Sequence, residues 1–198
     1  MLCLITNRKI IRNGTFKEVI EKAVGGGVDR VILREKDLTY DELLPIAQEI
    51  RKITKENNAS LMINRNLEVA KAVGADGFHI GFHDLMIDKP DWKGLLGISV
   101  HSLEEAVLAE KKGADYLLAS HVYATDCKKG LAPRGISFIK EIKEHVNIPV
   151  IALGGINPEN MREVLSIGIE GVAVMSFVMA TEDPYTAAQK FKCKMDIV

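Results

Sequence analysis

The sequence predicts a single (β/α)8 TIM-barrel domain spanning 1–198, and three observations carry the prediction. Short apolar, β-branched runs alternate with amphipathic helical patterns along the whole chain. One local pattern recurs, because Gly27–Val28–Asp29, Gly74–Ala75–Asp76, Gly113–Ala114–Asp115 and Gly168–Ile169–Glu170 each join a helix end to the next strand. A glycine C-cap followed by an acid is one αβ turn used repeatedly. The alternative, an open doubly wound sheet, lacks its Gly-x-Gly-x-x-Gly fingerprint after the first strand. At 198 residues the chain is compact beside the barrel's typical ~250.

Leu2–Thr6 reads as the first strand. Thr15 as N-cap with Glu18 at N3 forms a capping box for the first helix, which stops at Gly25–Gly26–Gly27. Arg30–Arg34 is the second strand, and Thr39 with Glu42 caps a helix reaching Glu56. Ser60–Asn64 is the third strand, and Asn66 caps a short helix ending at Gly74. Gly77–Ile80 is the fourth strand. The segment Gly81–Lys93 contains Pro90 and no clear helical period, so the fourth helix is short or degraded. Leu96–Val100 is the fifth strand, followed by a third capping box at Ser102 and Glu105 and a helix ending at Gly113. The run Ala114–Leu118 is the sixth strand, and a helix covers Ser137–Glu144. Pro149–Leu153 is continuously apolar, as suits a strand buried on both faces. Asn157 and Pro158 start the seventh helix as N-cap and N1, Gly171–Met175 is the eighth strand, and Asp183–Pro184 opens the last helix.

Composition narrows the function classes. Hydrophobic residues make up 47% and charged residues 27%, with 26 basic against 27 acidic side chains and a net charge of -1. That balance offers no basic footprint for nucleic acid and no polybasic membrane signal. Cys3, Cys127 and Cys193 are scattered and odd in number, so neither a disulfide framework nor a metal spacing is expected. The apolar start Met1–Thr6 is too short for a signal peptide or a membrane span. The expectation is a soluble cytoplasmic protein.

In such a barrel the site lies at the C-terminal ends of the strands. The residues there are unusually polar and basic: Arg34–Glu35–Lys36–Asp37, Asn64–Arg65, Gly81–Phe82–His83–Asp84, Ser99 and His101, then His121, Thr125 and Lys128, Gly154–Gly155–Ile156 and Met175–Ser176. The loop Ser120–Gly130 places a histidine able to take and give a proton among lysines suited to an anion; it also reads as a solvated surface loop. Gly154–Gly155 before a helix start, with Met175–Ser176 after the next strand, match a barrel phosphate site; a tight βα turn is the other reading. Arg34 and Lys36 alternate along an extended segment, so both can point into the mouth toward an anion, or one can pair with Glu35 or Asp37 on the rim. His79 and His83 have the i, i+4 spacing of a helical metal pair but fall on strand and loop, so no metal site is expected. His101 either faces the mouth or merely precedes the Ser102 cap, and His145 reads as a polar helix tail.

Over nearly the whole chain these residues resemble the thiamine phosphate synthase superfamily. The blocks are Arg34–Asp37, Met62–Asn64, Gly74–Gly81, Gly113–Tyr116, Gly154–Ile156 and Gly171–Ser176. The resemblance implies a (β/α)8 barrel, in agreement with the alternation above. It has two branches. The synthase branch couples a pyrimidine diphosphate to a thiazole phosphate using magnesium. Its pattern has glutamine where this chain has Ile32, a metal-binding aspartate where it has Arg65, and glutamine where it has Phe82. Asp84 is what remains of the expected metal pair, and a cation beside one carboxylate argues against magnesium.

The loop Ser120–Gly130 instead resembles the TenI thiazole tautomerase branch, since the synthase branch usually has Gly-Pro where this chain has Ser120–His121. That resemblance implies isomerisation of a thiazole carboxylate phosphate tautomer to the aromatic thiazole, by acid/base proton transfer without a cofactor. It implies His121 as proton shuttle and Arg34 and Lys36 near the carboxylate. Asn64, Thr125 and Lys128 are further substrate contacts, and Gly154, Gly155, Met175 and Ser176 surround the phosphate. A homodimer is expected from the family. Two alternatives stand beside this reading: a synthase with an altered metal site, and a non-catalytic regulator that senses a phosphate ligand.

Overall fold

The computed structural model describes residues 1–125 and 130–195. Eight parallel strands close into a barrel in sequential order: β1 (Leu2–Ile5), β2 (Arg30–Leu33), β3 (Ser60–Asn64), β4 (Gly77–Gly81), β5 (Leu95–Val100), β6 (Tyr116–Ser120), β7 (Val150–Leu153) and β8 (Gly171–Val174). The pairing of Leu2 with Val172 and Leu4 with Val174 closes the ring. Around it run α1 (Phe16–Gly25), α2 (Tyr40–Glu56), α3 (Leu67–Ala72), α4 (Phe82–Ile87), α5 (Leu103–Lys111), α6 (Gly135–His145), α7 (Met161–Leu165), α8 (Ser176–Met179) and α9 (Pro184–Met195). Among the described residues, no helix is long and apolar enough to cross a membrane.

Alternation along each strand sorts its side chains into two layers. Cys3, Ile5, Ile32, Met62, Tyr116, Leu118, Ile151 and Ala173 form one buried cluster inside the barrel. Their strand neighbours Leu4, Val31, Leu61, Leu117, Val150 and Val172 belong to the larger core against the helices. Two glycines leave room within: a Cβ on Gly97 would overlap the Tyr116 ring, and one on Gly77 would overlap the Met62 methyl.

The repeated turn acts as a clip. Its acids stand at the starts of β2, β4 and β6, and each accepts an N–H from the first two residues of the strand before. Asp29 takes Leu2 N at 2.7 Å, Asp76 takes Leu61 N at 2.8 Å, and Asp115 takes Leu96 N at 2.7 Å. The fourth copy departs: the Glu170 carbonyl, not its carboxylate, receives the Met1 ammonium at 3.0 Å. α9 then packs against α1, and Lys192 bonds Asp29 at 2.9 Å, tying the end of the ring to its start.

The capping boxes at Thr15–Glu18 and Thr39–Glu42 form in full. At Ser102 only half forms, because the Glu105 carboxylate takes the His101 N–H at 2.7 Å instead of the cap's own. Asn157 caps a turn rather than a helix, accepting from Glu159 N and Asn160 N before α7 begins at Met161. α4 is short, as its sequence predicts. Two elements are additions to the predicted set: α8, directly after β8, and a single 3-10 turn at Arg8–Ile10 after β1.

Candidate functional site

At the C-terminal ends of the strands lies a cavity of about 390 Å³. Strand alternation decides what reaches it. Arg34 continues the inward series of Ile32, Asn64 that of Met62, Ser120 that of Leu118, and Met175 that of Ala173. Ile5, Ile32, Leu118, Leu153 and Ala173 give the cavity an apolar floor, and polar groups ring its rim. Among the described residues, no carboxylate lines it.

One arc of the rim is basic. Glu35 and Asp37 face away from the mouth toward the turn after β1. Glu35 accepts Thr6 Oγ1 at 2.8 Å, Arg8 N at 3.1 Å and Arg8 Nη1 at 3.0 Å. Asp37 accepts Arg8 Nη2 at 2.7 Å and pairs with Lys9 at 2.9 Å. The acids of the Arg34–Asp37 stretch are thus engaged outside while Arg34 and Lys36 line the cavity. Thr6 Oγ1 also accepts Arg34 N at 2.9 Å, which fixes that backbone. Asn64 donates to the His79 carbonyl at 2.9 Å, so its amide braces the β3–β4 edge.

Arg65 follows with a left-handed backbone, φ 67°. It turns to Asp84, with Nε to Oδ2 at 3.0 Å and Nη2 to Oδ2 at 2.9 Å. Asp84 also accepts the Gly81 N–H at 3.3 Å. Lys36 sits among these groups and is held below the ordinary lysine value, first by Arg34, then by burial and by Arg65, with Asp84 opposing.

The opposite arc is a glycine cradle. Gly154 and Gly155 take φ values of 108° and 65°. A Cβ on Gly154 would run into His121, and one on Gly155 would lie 2.5 Å from the Ala124 carbonyl. No side chain fits at either position, so backbone faces the ligand space. Asn160 holds the turn by donating to Gly155 O at 3.0 Å and accepting Asn157 N at 2.8 Å. Met175 and Ser176, at the start of α8, complete the lining there.

His121 and Thr125 line the same cavity, whereas Lys128 lies outside the described residues. His121 is 4% exposed, and its Nε2 stands 3.4 Å from the Leu131 carbonyl. His101 lines the cavity too, near Glu105. His79 and His83 do not converge: His79 is buried within the barrel and His83 is exposed on α4. His79 bonds Tyr116 Oη at 2.9 Å and Ser99 Oγ at 2.8 Å, and burial beside Arg30 and Arg34 pushes it down to about 3. This hydrogen-bonded group of His79, Ser99 and Tyr116 beside the cavity is invisible in the sequence, because its members come from three strands. Among the described residues, no cluster of three or more metal-type side chains exists.

A family model described as thiamine monophosphate synthase matches residues 2–178. A thiamine-phosphate synthase of Pyrococcus horikoshii is 44% identical over 175 residues, covering 86% of this chain and 84% of its own. One from Clostridium tetani is 38% identical over 193 residues, covering 96% and 92%. The solved structure of a thiamine phosphate pyrophosphorylase from Pyrococcus furiosus superposes with a TM-score of 0.87 at 36% identity, covering 99% of this chain and 95% of that one.

These relatives overturn the tautomerase reading, and with it the isomerase assignment. The whole chain matches proteins named as synthases. The tautomerase reading rested on the loop Ser120–Gly130, four residues of which lie outside the described structure, and on the departures from the synthase pattern at Ile32, Arg65 and Phe82. His121 itself is buried, with one ring nitrogen turned toward its own loop.

Proposed function

Because the chain belongs to the thiamine monophosphate synthase family, we propose that it joins a pyrimidine group to a thiazole phosphate, with diphosphate leaving. The observation that carries this reading is the match over residues 2–178 together with two anion-suited arcs on one cavity. A coupling of a diphosphate with a phosphate needs both arcs.

In this reading Gly154, Gly155, Met175 and Ser176 hold the thiazole phosphate. Backbone N–H groups bind such an anion without a side-chain charge, and no Cβ is tolerated where the phosphate approaches. Arg34 and Lys36 hold the diphosphate and stabilise the charge that grows on it as its bond breaks. The apolar floor of Ile5, Ile32, Leu118 and Leu153 receives the rings and excludes water, and burying both together supplies proximity. Asn64 and Thr125 orient the substrates from the rim, and His121 is a positioning residue that packs beneath Gly154. A homodimer stays part of the proposal, tested by light scattering.

The magnesium that the synthase branch implies does not fit the residues present. Asp84 is bonded to Arg65, and no carboxylate among the described residues lines the cavity. No step is therefore routed through a metal. The test is to incubate the protein with the pyrimidine diphosphate and the thiazole phosphate and separate the products by chromatography. Thiamine phosphate formed only when both substrates and protein are present is the expected result; its absence overturns the reading.

A further inference from the structure

Three cations converge on one arc of the mouth: Arg34 and Lys36 beyond the end of β2, and Arg65 beyond β3. Leu33 pairs with Ile63 across these strands, so the next residues, Arg34 and Asn64, stand side by side with Arg65 immediately following. Lys36, Asn64 and Arg65 also line an adjoining groove of about 280 Å³, which places them between two open spaces. Like charges so gathered repel one another in the ligand-free protein, and a polyanion relieves that repulsion.

Asp84 bonds Arg65 and opposes the charge on Lys36. It engages Nε and Nη2 of Arg65; Nη1 has no hydrogen-bond partner among the described residues. Magnesium demands oxygen ligands at about 2.0–2.1 Å in near-octahedral geometry and keeps several waters. To take Asp84 it would displace a guanidinium and then sit among three positive side chains. An arginine supplies the same counter-charge to a diphosphate, with planar paired donors that suit its oxygens.

We propose that this chain grips a diphosphate group directly through Arg34, Lys36 and Arg65, with no divalent cation in the site, Arg65 supplying the charge a metal would bring. The identity of the diphosphate as a pyrimidine ester rests on the synthase reading; the anion-binding chemistry rests on the cluster.

The test is calorimetric titration of the full chain with inorganic pyrophosphate, in EDTA and again with magnesium. Wild type is expected to bind in EDTA with an affinity that magnesium does not raise. Arg65→Asp, tolerable at a left-handed position, is expected to lose at least about tenfold in EDTA, the size of a lost charged hydrogen bond, and to regain affinity with magnesium. Asp84→Asn gives the decisive sign. A direct cationic site tightens by about two- to fivefold when its competing carboxylate is removed, whereas a metal site loses its ligand and weakens. If Arg65→Asp fails to fold by circular dichroism, Asp84→Asn alone decides.

Binding only with magnesium, no binding in either buffer, or weakening in Asp84→Asn overturns the proposal. The two readings fail separately. Metal-independent pyrophosphate binding without coupling sinks the synthase and leaves the cluster. Coupling accompanied by strictly magnesium-dependent pyrophosphate binding does the reverse.

Discussion

Replacing Gly155 by alanine tests the phosphate cradle without altering any charge. Gly155 has φ 65°, and its new Cβ would lie 2.5 Å from the Ala124 carbonyl and 2.7 Å from Tyr123 Cβ. The left-handed backbone costs a non-glycine residue about 1–2 kcal/mol, and overpacking adds about 1–3 kcal/mol. The sum is roughly 2–5 kcal/mol, released by shifting the turn away from the β6 loop. Gly168 is the matched control: φ is 83°, and nothing lies within 4 Å of an added Cβ. Gly168→Ala therefore carries only the backbone cost of about 1–2 kcal/mol, on the far face of the barrel. Urea unfolding reads the stabilities, and calorimetry with the thiazole phosphate reads the cradle. Gly155→Ala is expected to bind at least about tenfold more weakly, one charge-assisted hydrogen bond's worth. Gly168→Ala is expected to bind as wild type does. A folded Gly155→Ala protein with wild-type affinity would refute the cradle and leave Gly154–Gly155 as a tight turn.

Two further outcomes follow from the scaffold. Asp115→Ala removes the acceptor of Leu96 N and should cost about 1–3 kcal/mol, the penalty for an orphaned backbone donor. Glu170→Ala, whose carbonyl rather than carboxylate makes the closing bond, should stay within about 0.5 kcal/mol of wild type; equal losses in the two would contradict the clip. His79 is held down to about 3 against an ordinary 6.5, so between those values the unfolded chain binds a proton that the folded chain refuses. Its contribution makes stability fall as pH drops from 6.5 toward 3, by up to about 1.4 kcal/mol per pH unit. His79→Gln should flatten that slope by about one proton in urea titrations, and an unchanged slope would count against a neutral buried imidazole.

The barrel was legible because its signals are local and repeated. Short apolar, β-branched runs mark the strands, and the Gly-x-acid turn marks where β2, β4 and β6 begin. Elements of three or four residues, such as α8 and the turn at Arg8–Ile10, are too short to carry a period. Alternation also placed Arg34 and Lys36 at the mouth, and the strand end placed Asn64 there. It did not predict that Arg65 would bond Asp84, since that depends on a left-handed residue reaching across 19 positions of sequence. The choice of branch failed for a related reason. Loop residues around His121 carry the tautomerase likeness, but they are a small part of a chain that matches proteins named as synthases over most of its length.

Phosphorus NMR of the full chain with both substrates tests the central claim most directly. The account predicts that the diphosphate-ester signals decline while free diphosphate appears, one molecule for each thiazole phosphate converted to thiamine phosphate. Spectra unchanged by active-site concentrations of folded protein, with and without magnesium, would contradict it.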